Sequence, residues 1–293
     1  MKDLNFLLIG SGGYIAPRHV KAIKDIGGRL VGCVDINFSE KAIEMLPKDI
    51  ITASSINEFL SIYQGKVDYV VICSPNFLHE EHIKEGLTLN ADIISEKPVA
   101  LTTEGINNLI SAESSSQGSI NTILQLRLHP VMKELEDYVS NAKKSNHQID
   151  LKYIAKRDDS YFQSWKGDLS LSGGLLLNVG VHYFDLLLNV FGDEQGINLE
   201  DHTNKRSKGT LELERATVNW LFSFEQIDID QFVPQGQSAF RIITVDGNEI
   251  VFSNVAEDLH TESYKRIITG KPFGIHEARR SIDLVDKINN ISI

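Results

Sequence analysis

NFLLIGSGGYIAPRHVKAIKDIGGRLVGCVD, residues 5–35, reads as a strand, a tight turn, a helix and a second strand. The run Asn5 to Ile9 is short and continuously apolar, as suits a parallel strand covered on both faces. Glycines 10, 12 and 13 let the backbone turn sharply and approach a diphosphate, and the helix from about Ala16 to Asp25 aims its first amides at that charge. Arg18 adds a cation. The spacing departs from G-x-G-x-x-G, because Ile15 stands at the third position. With one extra residue in the turn, which then includes Tyr14 and Ile15, Ala16 supplies the small residue needed where helix meets strand. The second strand ends in Asp35, placed to accept adenosine ribose hydroxyls, and no arginine follows it immediately, which favours NAD over the phosphorylated cofactor. A plain turn and a strand-end cap would use the same residue types; the strand-turn-helix-strand order makes dinucleotide binding the preferred reading.

Working outward, VDYVVICSP from Val67 and ADIISEKP from Ala91 read as further strands separated by the helical NFLHEEHIKEGLTLN. Alternating strands and helices predict a doubly wound parallel sheet whose ligands lie beyond the strands' carboxyl ends. Ser74, Pro75, Asn76 and Lys97 fall at those ends, and His79 lies just beyond. Pro98 biases Lys97 toward an extended backbone. Glu96, one residue earlier, is expected on the other side or toward the ribose.

The chain has 293 residues, 42% hydrophobic and 24% charged, enough for two domains. The boundary is expected near residue 120, giving domains 1–120 and 121–293. After the Ser-rich ESSSQGS, INTILQLRLHP reads as a strand leading into a helix. IDLKYIAKRD, GTLELERATVNWLFSFE, AFRIITVDG and NEIVFS alternate without intervening helices, which predicts a mostly antiparallel open sheet. The expected fold class is an N-terminal Rossmann α/β domain followed by an α+β domain. IHEARRSIDLVDKIN predicts a closing amphipathic helix, with Ala278, Ile282, Val285 and Ile288 near one face.

SGGLLLNVGVHYFDLLLNVFG, residues 172–192, is apolar almost all round and predicts a buried helix. Asn178, His182 and Asp185 would share one of its faces, and buried polar groups must be paired or functional. An amide takes up no proton, so Asn178 can orient a hydroxyl but cannot serve as a base. Lysine begins near a pKa of about 10.4 and needs burial or a neighbouring positive charge to serve as a base, whereas histidine begins closer to neutrality.

The formal net charge of -11 argues against nucleic acid or an anionic membrane as the main partner. Cys33 and Cys73 form no metal-ligand or disulfide spacing, and no metal is expected. LNFLLIG is too short for a membrane span or a signal-peptide core, so a cytoplasmic protein is expected.

The glycine turn, Asp35, CSPNFLHEEH and the E-K-P at residues 96–98, in that order, resemble the Gfo/Idh/MocA oxidoreductases. The resemblance implies an NAD-linked dehydrogenase whose last helix, about 275–289, packs back near the nucleotide domain. That family usually has aspartate where Asn178 stands, followed four residues later by the histidine matching His182. A smaller group within it shares GGYIAPRH, TILQLRLHP, SWKGD, GGLLLNVGVHYFD, LELERATVNW and FGIHEARRSIDLV, and there the Asn and the extended turn are regular features. This group resembles UDP-N-acetylglucosaminuronate 3-dehydrogenases of bacterial lipopolysaccharide O-antigen synthesis. The resemblance implies oxidation at the sugar C3, with 2-oxoglutarate reoxidising the cofactor in some members, and a homodimer or homotetramer. Such an anionic UDP-sugar needs local cations, for which Arg127, Arg157 and Lys166 are candidates, with Tyr161 and Trp165 offering ring faces. Asn178 and His182 complete the candidate substrate residues, while Gln125, counted with the cofactor site, and His129 are expected on the strand beneath the pocket. The alternatives are a dehydrogenase of a free polyol or sugar, and a non-catalytic NAD(H) sensor.

Overall fold

The structure is a computed structural model that describes residues 4–38, 46–47, 49–142, 145–252 and 258–291. Two compact units divide the chain, Met1–Leu128 with Ala256–Arg279 and His129–Val255 with Arg280–Ile293.

The first unit contains β1 (Asn5–Ile9), α1 (Ala16–Asp25), β2 (Arg29–Val34), β3 (Ile51–Ala53), α2 (Ile56–Ile62), β4 (Tyr69–Ile72), α3 (His79–Leu87), β5 (Asp92–Ser95), α4 (Thr103–Ser114) and β6 (Ile120–Thr122). The strands form one parallel sheet in the order β3-β2-β1-β4-β5-β6, with the direction of winding reversed at β1. Leu7, Leu8, Val70, Val71, Ile93 and Ile94 are fully buried, as the continuous apolar runs require. Side-chain caps start two of the helices: Ser55 accepts from the Glu58 amide at α2, and Thr102 accepts from the Gly105 amide at α4. At Gly32 a Cβ would lie 2.2 Å from the Phe59 ring, so the absence of a side chain lets α2 close on the sheet.

The first sheet runs past residue 120, where the sequence placed the boundary. β6 pairs in parallel with β5, Ile93 opposite Ile120, and is its last strand. INTILQLRLHP is a strand only as far as Thr122. Gln125–Leu128 winds as a 3-10 turn, and His129 caps the next helix, so neither Gln125 nor His129 stands on a strand. Pro130 in the first turn of that helix has no amide proton to give a ladder. The helix Leu259–Ile268, from far along the chain, packs on α1 and belongs to the first unit.

The second unit holds α5 (Pro130–Asn141), β7 (His147–Ala155), α6 (Val181–Phe191), β8 (Glu194–His202), β9 (Arg206–Leu213), β10 (Ala216–Ser223), β11 (Ala239–Val245) and β12 (Asn248–Glu249). Its sheet order is β12-β11-β7-β10-β9-β8, antiparallel throughout except where β10 runs parallel to β7. The mostly antiparallel expectation holds. β8 had no alternation strong enough to be read, and of NEIVFS only Asn248–Glu249 is strand, with Ser253 outside the described residues. Phe184 of α6 packs edge-on to Trp220 at 5.9 Å and against Phe222 at 5.7 Å, which seats α6 on the sheet.

The buried run 172–192 is not one uniform helix. Gly173 and Gly174 both have φ of 77°, which ends the short helix Leu169–Ser172. Leu176–Gly180 then winds as a π-turn before α6 begins. By length and composition Leu169–Phe191 would pass for a membrane span, but 67% of its most apolar window is buried inside the protein, as in a core segment. The closing helix Ile275–Asn289 forms as expected, and the division between the units falls within it.

Candidate active site

In the first unit the glycine turn leaves β1 through Gly10, whose φ is 82° and whose amide donates to the Val34 carbonyl at 2.8 Å. A Cβ there would lie 2.4 Å from the Ser74 nitrogen, so glycine allows the turn to lie against the end of β4. Asp35 ties the turn to β2: one carboxylate oxygen accepts from the Gly12 amide at 2.8 Å, the other from the Asn37 amide at 2.9 Å. A Cβ on Gly12 would meet the Asn37 carbonyl at 2.6 Å. Tyr14 beside this cradle is 87% exposed and Ile36, next to Asp35, is 92% exposed, leaving two apolar faces open to a flat ligand. Ile15 packs on the core. The sequence reading had passed over Ile36.

Ser74, Asn76 and His79 are buried at the end of β4 and the start of α3, and Lys97 is half-buried beyond β5. Pro75 leads into the 3-10 turn Asn76–Leu78, which runs directly into α3. Both ring nitrogens of His79 reach carbonyl oxygens, Nδ1 that of Pro98 at 2.6 Å and Nε2 that of Ser74 at 2.7 Å. The peptide between Lys97 and Pro98 is cis. Gln125, after β6, has a buried Oε1 with no hydrogen-bond partner, and the Arg127 guanidinium lies over the Phe273 ring at 5.2 Å.

Glu96 takes the first of its two expected directions: its side chain is only 9% exposed and enters the interior of the unit. His19 Nε2 and His260 Nε2 approach the same carboxylate oxygen at 3.0 and 3.1 Å. The Tyr264 hydroxyl lies 2.8 Å from His19 Nδ1. A neutral His19 therefore accepts from Tyr264 and donates through Nε2 to Glu96. Burial by itself would raise the Glu96 carboxyl; the two histidines outweigh it and hold the group well below the usual carboxylate range. The three ligand-type atoms lie within 4.8 Å of one another, but hydrogen bonding accounts for their approach. His19, His260 and Tyr264 were not among the candidate site residues. His19 could have been noticed at the end of GGYIAPRH, whereas His260 and Tyr264 are brought in from far along the chain.

In the second unit Asn178 Nδ2–H donates to the Tyr161 hydroxyl at 2.9 Å. Burial pushes the Tyr161 phenol up. The Arg157 guanidinium lies 5.1 Å from both the Tyr161 and Phe224 ring centres and donates to the Tyr153 hydroxyl at 3.2 Å. Lys166 sits 5.8 Å from the Trp165 ring centre. Lys156, Arg157, Asp158, Ser160, Tyr161 and Lys166 line a cavity of about 430 Å³, with three cations against one carboxylate. His182, half-buried, and Asp185, buried, lie on α6, and Asn178 lies in the π-turn before it. His129 caps α5 and packs on Phe252 at 5.1 Å.

A parallel sheet wound 3-2-1-4-5-6, a glycine cradle that a Cβ would fill and a carboxylate at the end of the second strand define a Rossmann unit that binds NAD. Residues 4–121 match the NAD-binding Rossmann fold of the Gfo/Idh/MocA oxidoreductases, and residues 147–239 match that family's C-terminal alpha/beta domain. The WlbA (WbpB) dehydrogenase of Thermus thermophilus, solved with NAD and UDP-GlcNAcA, is 35% identical with a TM-score of 0.91, the match covering 99% of this chain and 96% of that one. The same enzyme has also been solved with NAD and alpha-ketoglutarate. Among curated relatives, YteT of Bacillus subtilis, a putative oxidoreductase, is 28% identical over 42% of this chain and 29% of its own length. Glucose-6-phosphate 3-dehydrogenase of the same organism is 24% identical over 69% of this chain and 58% of its own, so these matches span less than two thirds of either relative. The chain belongs to the Gfo/Idh/MocA oxidoreductase family.

Proposed function

We propose that this protein is an NAD-dependent dehydrogenase that oxidises the C3 hydroxyl of UDP-N-acetylglucosaminuronate to the 3-keto sugar, in the cytoplasm, for bacterial O-antigen synthesis. The observation that carries the reading is the likeness along 99% of the chain to a dehydrogenase solved with NAD and UDP-GlcNAcA. The cation-rich cavity of the second unit supports it, since a substrate with a diphosphate and a carboxylate needs local positive charge in an otherwise acidic protein. Oxidation at C3 gains support from the 3-dehydrogenase among the relatives.

Bound NAD+ supplies the hydride acceptor. Gly10, Gly12 and Gly13 leave room for its diphosphate, Asp35 meets its ribose, and Gln125 offers an acceptor lacking a partner. Arg157 and Lys166 hold the substrate's anionic groups, Tyr161 and Trp165 offer ring faces, and Asn178 orients a hydroxyl. The proton leaving that hydroxyl goes to Lys97 or His182, and 2-oxoglutarate is the proposed acceptor that regenerates NAD+.

The test is to incubate the protein with UDP-N-acetylglucosaminuronate and NAD+, with and without 2-oxoglutarate, and follow NADH absorbance and the sugar's mass. Loss of two hydrogens from the sugar is expected. Turnover of free inositol or aldose in its place would replace this reading with that of a free-sugar dehydrogenase, which the inositol 2-dehydrogenase of Pseudomonas syringae, 22% identical over 77% of this chain and 66% of its own, keeps as the second reading. Lys97→Met is expected to nearly abolish oxidation with NAD binding retained. His182→Asn is expected to slow the reaction and shift its pH profile.

A further inference from the structure

A buried histidine with a carbonyl oxygen at each ring nitrogen cannot be satisfied as a neutral ring. Neutral imidazole carries one N–H, so at either Pro98 or Ser74 a nitrogen lone pair would face an oxygen lone pair at 2.6 or 2.7 Å. Turning the ring over would put carbons at both places and lose both bonds. Burial is the strongest single influence on His79 and, with His82, pulls its pKa below the usual 6.5, while both carbonyls and the Glu96 charge act in the opposite direction. The two short contacts decide between them, being at or below the usual length of charge-assisted bonds.

We infer that His79 is a buried imidazolium that clamps the loop after β4 to the E-K-P turn, and so acts as a positioning residue for Asn76 and Lys97. Ser74 lies two residues before Asn76, and Pro98 follows Lys97 directly, so each of its bonds fixes the backbone next to a candidate site residue. Its charge also compensates that of buried Glu96. The other titratable group that acts on it is His82, on the same helix and 2.9 Å from the Ser74 hydroxyl, whose charge opposes that of His79. The inference rests on NAD binding and is independent of the sugar substrate.

The test uses the full chain, histidine-labelled with 15N, and long-range proton–nitrogen correlation spectra from pH 6 to 9. Signals are assigned with His79→Asn and His79→Gln. The expected result is a His79 ring with both nitrogens protonated at about pH 8, where an unperturbed histidine is neutral. NADH binding, followed by fluorescence, is expected to weaken roughly tenfold in the folded variants. A neutral His79 at that pH overturns the inference, as does unchanged NADH affinity in a folded variant. If neither variant folds, the wild-type spectrum still tests the clamp: all nine histidines neutral at that pH would overturn it.

Discussion

Glu96 in the first unit and Asp228 in the second are both buried carboxylates, with side chains 9% and 5% exposed, but their hydrogen-bond partners differ in kind. Glu96 depends on two histidines, neither of which is exposed by more than 1%. Asp228 accepts from Arg206 Nε at 2.8 Å and from the Ser223 hydroxyl at 2.6 Å, and Arg206 also donates to Asp201 at 2.6 Å. Burial would raise Asp228, and Arg206 with Ser223 keeps it below the usual range. Arg206 is 25% exposed, and Asp228 raises its already high pKa further. An arginine stays charged at every pH that matters here, whereas histidines titrate in the working range. The Glu96 cluster beside the candidate site is thus the acid-sensitive one.

The largest effect is expected from Glu96→Ala, which leaves two buried imidazoles without their acceptor. Each buried imidazole N–H left unpaired costs about 1 to 3 kcal/mol, so stability should fall by about 2 to 5 kcal/mol, measured by urea unfolding; a loss near 1 kcal/mol would mean that the cluster carries little of the fold. Asp228→Ala should cost less, about 1 to 2 kcal/mol, because Arg206 keeps Asp201 and some water. Equal losses in the two variants would erase the contrast.

Acid provides the next test. Burial lowers the pKa of His19 from its usual 6.5, so the unfolded chain takes up that proton first and stability falls as pH drops below about 6.5. The depressed Glu96 acts in the same direction at lower pH: its contribution is present above its unfolded value near 4.5 and is lost as pH falls through its folded value. Amide protection factors, which allow for the slower intrinsic exchange in acid, should therefore fall between pH 7.5 and 5.5 in α1 and the helix Leu259–Ile268 before they do in β9 and β10. The smallest effect is expected from Tyr264→Phe, about 0.5 to 1.5 kcal/mol. It removes the hydroxyl that favours neutral His19, and so should also shift the His19 titration upward by NMR.

The local signals were the legible ones. The glycine turn, Asp35, Ser74 to Asn76 and Lys97 lie within a few residues of strand ends, and apolar periodicity marks where strands stop. Asn178 and Tyr161 were both singled out, but their bond depends on the π-turn and the double-glycine break at 173–174, which periodicity does not encode. β8 escaped because its burial pattern is mixed from Glu194 to His202.

The sequence by itself determined the winding of the first sheet, the NAD cradle and the mostly antiparallel second sheet, because these follow from residue patterns over short spans. Tertiary structure decided that β6 closes the first sheet, that Glu96 turns inward, and which histidines meet it. His19 and His260 lie 77 and 164 residues from Glu96, and His19 lies 245 from Tyr264. No local preference selects partners at such separations; packing of the helix Leu259–Ile268 on α1 brings them together.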